Sequence, residues 1–429
     1  MRSFFSAFLR RKAARPVASP HLRLLSAGST SAMVYAATIA VSSNPSSQPS
    51  DELTKSKAWH LADNKGFENP WPSWEVPNFW SIGFAMIKRR LTGKAKSPDT
   101  TPPTVPVRTP EFLPSRQHAN DKIRATWLGH ACYFVEFPSG LRVLFDPVFE
   151  CRCSPLTWLG PRRFTEAPCK IADIPIIDAV VISHNHYDHL SHPTVTEIAG
   201  KHPNCEFFVP LGNKKWFADC GIEKCTEMDW WDEKDLILTP DSGQSSSVDI
   251  AGSGARASQR SITSTISCLP CQHTSNRGLT DRAKTLWSSW SIKTGGKSLW
   301  FGGDTGYRSV PEESDGKDDW SEEYAHLPRC PAFKDIGRLR GPFDLGLIPI
   351  GAYQPRYIMS SMHANPRDSV EIFRDTRCKR ALGIHWGTWV LTEEDVLEPP
   401  KLLRKALAHH HIPETGVFDV SDIGESREI

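Results

Sequence analysis

Four side chains that can bind a metal ion fall within one short run of the chain, His184-Asn-His-Tyr-Asp-His189. Imidazole nitrogens and carboxylate oxygens suit zinc, iron or manganese. His184 and His186 can converge on one ion, whereas Asp188 and His189 can face a second ion close by. Two ions need more ligands than this run holds, so the sequence predicts further His and Asp ligands downstream.

Three such residues follow along the chain, each after a strand-like apolar run. They are His273, Asp304 in a Gly-Gly-Asp-Thr-Gly run, and His385 in a Gly-Ile-His-Trp-Gly run. Side chains at strand ends gather at one rim of a sheet, where functional residues concentrate. A lone histidine after a strand is usually structural. The ordered set of seven residues nevertheless predicts a two-metal centre.

The elements that must position these ligands begin at about residue 121. Short strand-like runs are interleaved there with helix-like stretches, which indicates a layered α/β domain over residues 121–429. The strand-like runs are Ile123–Leu128, Cys132–Phe137, Leu141–Phe145, Ala179–Ser183, Glu206–Pro210, Leu286–Ile292, Ser298–Gly302, Leu345–Ile350 and Ala381–Ile384. The helix-like stretches are Pro193–Ala199, Pro366–Asp375 and Lys401–His409.

The first 120 residues differ in composition from this domain. Residues 1–50 contain six basic residues and no acidic residue, which is typical of a mitochondrial targeting segment; a disordered basic tail is the alternative. The apolar run Ala32–Val41 is too short for an ordinary membrane span, and could extend the targeting segment or touch a membrane surface. Residues 51–120 are Pro-rich and predict an extended arm over the main domain, with a linker at 97–114.

Charge and cysteine usage exclude some classes of protein. The net charge is +2, and the basic first 50 residues leave about −4 for the rest, so the body is not a basic nucleic-acid binder. The 11 cysteines, including Cys151/Cys153 and Cys268/Cys271, lack zinc-finger spacing and are interpreted as reduced. The Ser/Gly-rich insert at 242–262 and the acidic segment at 311–327 predict surface loops.

The ligand pattern resembles the metallo-β-lactamase superfamily, and longer runs narrow the resemblance to the N-acyl-phosphatidylethanolamine-hydrolysing phospholipase D family. The runs that carry it are Asn69–Trp74, Thr126–His130, Phe145–Pro147, Gly160–Phe164, Pro349–Arg356, Gly383–Thr388 and Gly424–Arg427. Together they extend from about residue 67 to residue 427. The insert at 242–262 and the stretch Thr274–Ala283 depart from the animal enzymes, so acyl-chain preference does not carry over.

This resemblance implies an αβ/βα four-layer sandwich with an N-terminal extension and two zinc ions (Zn²⁺) per chain at one edge. Matched by motif, the implied ligands are His184, His186 and His273 for the first ion, Asp188, His189 and His385 for the second, and Asp304 between them. His363 matches a family histidine close to the scissile phosphate; a structural histidine before the helix at Pro366 is the alternative. The family further implies a homodimer with an apolar groove that faces a membrane.

The implied reaction is zinc-dependent hydrolysis of N-acyl-phosphatidylethanolamine. A hydroxide held between the metal ions would attack phosphorus and release N-acylethanolamine and phosphatidic acid. Asp188, Asp304 and His363 are the expected catalytic residues. Asp146 is expected either to support a ligand or to form a strand-end turn. Aromatic surface for the lipid, or else core packing, is expected of Trp71, Trp74, Trp158, Trp230, Trp231 and Trp389.

Three other functions are compatible with the ligand set. One is another hydrolase of the superfamily, a lactonase or thioesterase, and a second is a mitochondrial RNA phosphodiesterase, which the negative body disfavours. The third is a non-enzymatic metal-binding protein. The sequence favours a mitochondrial enzyme associated with the inner membrane, with a phospholipid substrate, peripheral membrane contact and no nucleic-acid partner.

Overall fold

Two β-sheets packed face to face form the centre of the protein. The computed structural model describes residues 37–43, 56–75, 79–116, 119–240 and 261–429. The strands are β1 (Ala37–Ser43), β2 (Arg124–Gly129), β3 (Cys132–Glu136), β4 (Arg142–Phe145), β5 (Ala179–Val181), β6 (Glu206–Pro210), β7 (Cys225–Met228), β8 (Glu233–Pro240), β9 (Ile262–Leu269), β10 (Ser289–Thr294), β11 (Lys297–Phe301), β12 (Phe343–Pro349), β13 (Cys378–Ile384), β14 (Phe418–Asp419) and β15 (Ser426–Glu428). The α-helices are α1 (Phe79–Leu91), α2 (His192–Lys201), α3 (Lys214–Asp219), α4 (Ala332–Leu339), α5 (Arg356–Met359), α6 (Pro366–Asp375) and α7 (Glu398–His409).

The order of strands brings the metal-binding segments to one edge. One sheet has the order β15-β2-β3-β4-β5-β6-β7 and the other β1-β8-β9-β10-β11-β12-β13-β14. Strands β4 to β7 run parallel to each other, as do β11 to β14. The carboxyl ends of parallel strands lie at the same edge, so the loops that leave β5, β11 and β13 can meet there.

Alternation along the strands creates the layers. In β3, Tyr133 and Val135 are buried in the core between the two sheets, whereas Phe134 faces a second core. That second core also contains Val195 and Ile198 of α2. Successive side chains of a strand point to opposite faces, so this sheet is covered on both sides. Helices α4, α6 and α7 pack their buried apolar residues into the core of the other sheet. This arrangement of sheets and helices confirms the expected sandwich.

The N-terminal segments differ from the expectation. Ala37–Ser43, which fell within the proposed targeting segment, forms an edge strand whose Ala37 pairs with Pro240 and whose Ser43 pairs with Lys234. This run contains Thr38, Ile39 and Val41, β-branched residues that favour a strand. The rest of residues 1–50 lies outside the described residues. Within 51–120, the arm that was expected to be extended contains helix α1.

The strand-like runs of the sequence each overlap an observed strand, and the helix-like stretches overlap α2, α6 and α7. The strand-like run that was expected before His273 is β9. Strands β7 and β8 and helices α1, α3, α4 and α5 were not anticipated; β8 begins with three charged residues, so its apolar run is short. Most of the insert at 242–262 lies outside the described residues. In the described part of the chain, no helix is long and apolar enough to cross a membrane.

Candidate metal centre

The run His184–His189 forms a compact loop directly after β5. The backbone amides of His189 and Leu190 both donate to the carbonyl of His186 at 3.1 and 2.8 Å, which closes a turn. Arg277 braces the loop from outside, since its guanidinium donates to the carbonyls of Asn185 and Leu190 at 2.9 and 2.8 Å. The loop backbone is therefore fixed before any ligand binds.

Three imidazoles converge in a first group. The Nε2 atom of His184 lies 2.8 Å from Nδ1 of His186, and Nε2 of His273 lies 3.3 Å from the same atom. Two nitrogens bound to one tetrahedral zinc ion at about 2.0–2.1 Å would lie about 3.3–3.4 Å apart. The 3.3 Å separation matches that value and the 2.8 Å separation is shorter, and the three nitrogens are close enough together to share one ion.

A second group lies beside the first. Oδ2 of Asp188 is 3.4 Å from Nε2 of His189 and 3.4 Å from Nε2 of His385. The carboxylate and the two imidazoles can hold a second ion. This division into two groups of three is the one that the sequence resemblance implied.

Asp304 lies between the two groups. Its Oδ2 atom is 3.1 Å from Nε2 of His189 and 2.9 Å from Nε2 of His385. The same oxygen is 3.9 Å from Nε2 of His184 and 3.8 Å from Nε2 of His273. One carboxylate thus approaches ligands of both groups, as a residue bridging two ions must.

Gly303 makes the position of Asp304 attainable. Its φ is +57°, and a Cβ atom at this position would lie 2.5 Å from Cβ of Ser183. Glycine alone tolerates both the left-handed conformation and so close an approach. The loop after β11 can therefore pack against the loop after β5.

Each of the five candidate histidine ligands has a protein partner for its outer ring nitrogen. These partners are Ser183 Oγ for His184, Asn276 Oδ1 for His186, Met362 O for His273, Asp146 Oδ2 for His189 and Gly351 O for His385. Such contacts fix the tautomer and the orientation of a metal-binding imidazole. The shortest of them joins His189 Nδ1 to Asp146 at 2.6 Å, so Asp146 holds the imidazole of a candidate ligand and is more than a turn residue.

Burial and charge divide the histidines into two kinds. Burial lowers the pKa of His184, His186 and His273, which leaves them neutral, as metal binding requires. Burial opposes protonation of His189 and His385 as well, but nearby carboxylates outweigh it: the pKa of His189 rises well above its usual value and that of His385 rises to about 9. A cation would offset the same carboxylates.

Several buried atoms of the centre lack a hydrogen bond of normal geometry. Among the described residues these include Nε2 of His189, Nε2 of His385 and Oδ1 of Asp304. Buried polar atoms normally have partners, and exceptions need an explanation. Together with the donor set, these atoms fit a divalent metal ion.

His363 closes the centre on another side. Its Nδ1 is 3.9 Å from Oδ2 of Asp304, and burial lowers its pKa to about 3. It does not begin the following helix, since Asn365 is the residue that caps α6. The guanidinium of Arg356 donates to the carbonyl of His363 at 3.3 Å and holds this segment in place.

The acidic segment at 311–327 supports the same region and is therefore more than a surface loop. Asp319 within it is buried, and its carboxylate is 2.7 Å from Nε of Arg356 and 3.5 Å from the guanidinium of Arg308.

His130 is a site residue that the sequence analysis did not single out. It sits in the turn between β2 and β3 with a φ of +53°, and its Nε2 is 3.1 Å from Oδ2 of Asp188. Its ring centroid is 4.1 Å from that of His385. The only sequence signal was its place in the run Thr126–His130.

A cleft opens beside the second group. It has an empty volume of about 370 Å³, part of it open to solvent, and its walls include His130, His385, Trp389 and Glu394. Of the tryptophans considered for lipid contact, Trp389 lines this cleft.

The other tryptophans divide between core and surface. Trp230 and Trp231 are buried in the core, and Trp71 stacks on Trp230 at 5.5 Å, so these three serve packing rather than surface contact. Trp158 is 71% exposed. The cysteines are free thiols, as expected.

A family model described as "Beta-lactamase superfamily domain" matches residues 141–386. The fold and the His/Asp cluster therefore define a metal-dependent hydrolase of this superfamily. A metallo hydrolase from the archaeon Ignicoccus hospitalis has a structure with a TM-score of 0.43 and 18% identity, covering 72% of this chain and 98% of that chain.

Two relatives narrow the family. N-acyl-phosphatidylethanolamine-hydrolyzing phospholipase D 1 of Caenorhabditis elegans is 34% identical over 85% of this chain and 93% of its own length. The mitochondrial N-acyl-phosphatidylethanolamine-hydrolyzing phospholipase D of Saccharomyces cerevisiae is 30% identical over 65% of this chain and 50% of its own length. The chain belongs to the N-acyl-phosphatidylethanolamine-hydrolysing phospholipase D family.

Proposed function

We propose that this protein uses two zinc ions to hydrolyse N-acyl-phosphatidylethanolamine to N-acylethanolamine and phosphatidic acid. The observation that carries the proposal is the position of Asp304, whose Oδ2 lies within 4 Å of histidines from both ligand groups. Family membership supports the choice of substrate. The alternative hydrolases, a lactonase or a thioesterase, would need the same metal ligands and differ in the cleft.

In this proposal each ligand has a defined role. His184, His186 and His273 would hold the first zinc ion, and Asp188, His189 and His385 the second, with Asp304 shared. When bound, the ions would lower the pKa of water and offset the charge that develops on the phosphodiester.

The chain itself orients the reactants. Asp146 and Ser183 fix the imidazoles of His189 and His184. His363, neutral because its pKa is low, would donate a hydrogen bond from a ring nitrogen to a phosphate oxygen or to the leaving oxygen of the ethanolamide.

Peripheral contact with a membrane is part of the proposal. Helix α1 contains no acidic residue and exposes Phe84, Ile87 and Leu91 beside Lys88 and Arg90. Apolar side chains flanked by cations suit the surface of a bilayer that contains anionic lipid. The substrate and the phosphatidic acid product are themselves anionic.

A second exposed apolar segment supports the same surface. Leu156, Trp158 and Leu159 are exposed on one loop. Arg163, which follows this loop, connects it to the cleft because the Arg163 guanidinium lies 4.5 Å from the ring centroid of Trp389. Helix α1 is tied through Arg89 to Glu393, whose neighbour in the chain, Glu394, lines the same cleft. The two anchors, Trp389 and Glu393, are four positions apart in the sequence, so their Cα atoms can be at most about 14 Å apart. A bilayer that touches both segments would lie beside the cleft.

The deciding experiment compares substrates. Purified, zinc-loaded protein is assayed on N-acylated phosphatidylethanolamine, on phosphatidylcholine and on a lactone, with release of N-acylethanolamine measured directly. The proposal expects ethanolamide from the first substrate and loss of that activity in the His184→Ala, Asp304→Asn double variant. Absence of ethanolamide together with strong lactone turnover would overturn it, and full activity of the double variant would overturn the two-metal mechanism.

Mitochondrial location, at the inner membrane, and a homodimeric state complete the proposal. The basic residues and missing acids of the first 50 residues support the location, as does the yeast relative that is described as mitochondrial. The targeting part would end before Ala37, because Ala37–Ser43 belongs to the folded sheet. Fluorescence microscopy of the full chain and of a form lacking residues 1–36 tests the location, and light scattering tests the dimer. No nucleic-acid partner is proposed for a body of negative charge.

A further inference from the structure

Helix α1 has two faces with different tasks. Ile82, Ala85 and Arg89 are partly or fully buried and recur at helical spacing, so they face the domain. Phe84 and Leu91, 71% and 82% exposed, lie on the opposite face. The helix is thus attached to the enzyme by one side, while its other side is exposed.

The attachment is an ion pair with little solvent exposure. Arg89 donates from Nε and Nη2 to the two carboxylate oxygens of Glu393, at 3.2 and 2.7 Å. Its Nη1 atom lies 3.1 Å from Oδ2 of Asp315. A two-point bond between guanidinium and carboxylate fixes both direction and distance. Any displacement of the helix is therefore transmitted to Glu393.

Glu393 is followed in the chain by Glu394, which lines the cleft and binds another segment of the lining. The carboxylate of Glu394 accepts from the backbone amides of Ala352, Tyr353 and Gln354 at 2.6, 3.2 and 3.1 Å. Ala352 has a φ of +65°, a conformation that an alanine adopts only when its surroundings hold it. The hydrogen bond from the Ala352 amide to Glu394 stabilises this conformation.

The loop that Glu394 binds touches the metal centre. The carbonyl of Gly351 is 3.4 Å from Nδ1 of His385, the outer nitrogen of a metal-ligand candidate. Gly351, Ala352, His385 and Glu394 all line the cleft. A continuous series of contacts therefore runs from Arg89 through Glu393 and Glu394 to the loop and to His385.

We propose that Arg89 is a positioning residue that couples docking of α1 on a bilayer to the shape of the cleft and the orientation of His385. The inference rests on the proposed function. Contact with lipid restrains α1, and the Arg89–Glu393 pair then restrains the loop Gly351–Gln354 in its productive position. The enzyme is consequently more active on substrate in a bilayer than on the same headgroup in dispersed form, because docking shifts the population toward that position.

The test compares Arg89→Gln with a matched control. Arg116→Gln removes another bidentate ion pair of low exposure, to Asp178 at 2.5 and 2.6 Å, which touches neither the cleft nor α1. Each zinc-loaded protein is assayed on N-acylated phosphatidylethanolamine in phosphatidylcholine vesicles and on a short-chain, monodisperse analogue. Vesicle binding is measured by co-sedimentation, and hydrogen exchange of residues 351–354 is followed with and without vesicles.

The expected result is a selective loss. Arg89→Gln binds vesicles as the wild type does, but the ratio of kcat on vesicles to kcat on the monodisperse analogue falls by about 2- to 30-fold. Vesicles protect residues 351–354 from exchange in the wild type and in Arg116→Gln, and not in Arg89→Gln. The charge-reversed pair Arg89→Glu, Glu393→Arg recovers part of the ratio. Should Arg89→Gln fail to fold, Glu393→Gln removes the same pair from the other side.

The outcomes separate the two levels of the argument. An unchanged kcat ratio and unchanged protection in Arg89→Gln would overturn the coupling while leaving the proposed function intact. A wild-type protein that releases no ethanolamide from either form of the substrate would instead overturn the proposed function.

Discussion

The Nε2 atom of His130 lies 3.1 Å from Oδ2 of Asp188, and 58 residues separate the two in the sequence. His130 is in turn held by its own backbone, since its amide donates to Thr388 Oγ1 at 2.7 Å and its carbonyl accepts from the amide of His385 at 3.0 Å. Asp188 is thus oriented by a residue of another loop, the turn between β2 and β3.

Replacement of His130 by alanine is expected to weaken binding of the second metal ion. Loss of an outer partner of a ligand costs about 10- to 100-fold in metal affinity. Calorimetric titration of the metal-free protein with zinc should therefore show one site weakened. His326→Ala, which changes an exposed histidine, is the control. Two unaltered sites in His130→Ala would contradict the supporting role.

Replacement of His363 by alanine is expected to lower kcat by about 10²- to 10³-fold, since it removes the neutral imidazole that is proposed to donate a hydrogen bond to the phosphate or the leaving oxygen. Zinc content, measured by mass spectrometry of the metal, should stay at the wild-type value because His363 is not among the proposed ligands. A variant that loses zinc in parallel with activity would show that His363 binds metal instead.

Replacement of Gly303 by alanine is expected to destabilise the fold and displace Asp304. The left-handed conformation alone costs about 1–2 kcal/mol for a residue with Cβ, and the approach to Ser183 adds to it. Chemical unfolding gives the free energy of unfolding. The matched control is Gly200→Ala in α2, where a Cβ meets no atom within 4 Å and helix propensity should raise stability by about 1 kcal/mol. Equal effects at the two glycines would refute this account.

The metal-free protein is expected to lose stability as the pH rises from about 7 to about 9. His385 has a folded pKa of about 9 and His189 a folded pKa well above the usual value, against about 6.5 unfolded. A group whose pKa is higher in the folded protein than in the unfolded chain stabilises the fold fully at a pH below its unfolded pKa. This contribution to the free energy of unfolding disappears as the pH rises through the folded pKa. Thermal unfolding in chelator across this range measures the loss. Added zinc should abolish it, because the metal binds the neutral imidazoles; a metal-free protein with constant stability would contradict the charge assignment.

Substitution of Phe84 by aspartate is expected to weaken vesicle binding. Burial of one large apolar side chain contributes about 1.5–3 kcal/mol, and a negative charge adds repulsion from anionic lipid. Sedimentation with vesicles of phosphatidylcholine and phosphatidic acid measures the change. Leu279→Asp is a demanding control, since Leu279 is 97% exposed and lies on neither apolar segment. If both variants lose binding equally, α1 is not the docking element.

The candidate ligands could be found in the sequence because each follows a strand whose apolar residues mark its end. His184–His189 and Asp304 are examples, and the structure brings them together with His273 and His385. The role of His130 and that of Arg89 could not be predicted, because each depends on a partner far away in sequence: Asp188 in one case, and Glu393, 304 residues later, in the other. Helix α1 was not predicted because it lies in a Pro-rich part of the sequence and exposes several of its apolar residues to solvent.

Strand β1 has a practical meaning for handling the protein. Its pairing from Ala37 to Ser43 occupies the outer side of β8. A shortened chain that starts after Ser43 would leave the amides and carbonyls of Lys234–Pro240 open to pairing with any other extended chain, which is a common origin of aggregation. Recombinant forms should begin before Ala37. A protease that removes Ala37–Ser43 would expose the edge of β8 and favour aggregation.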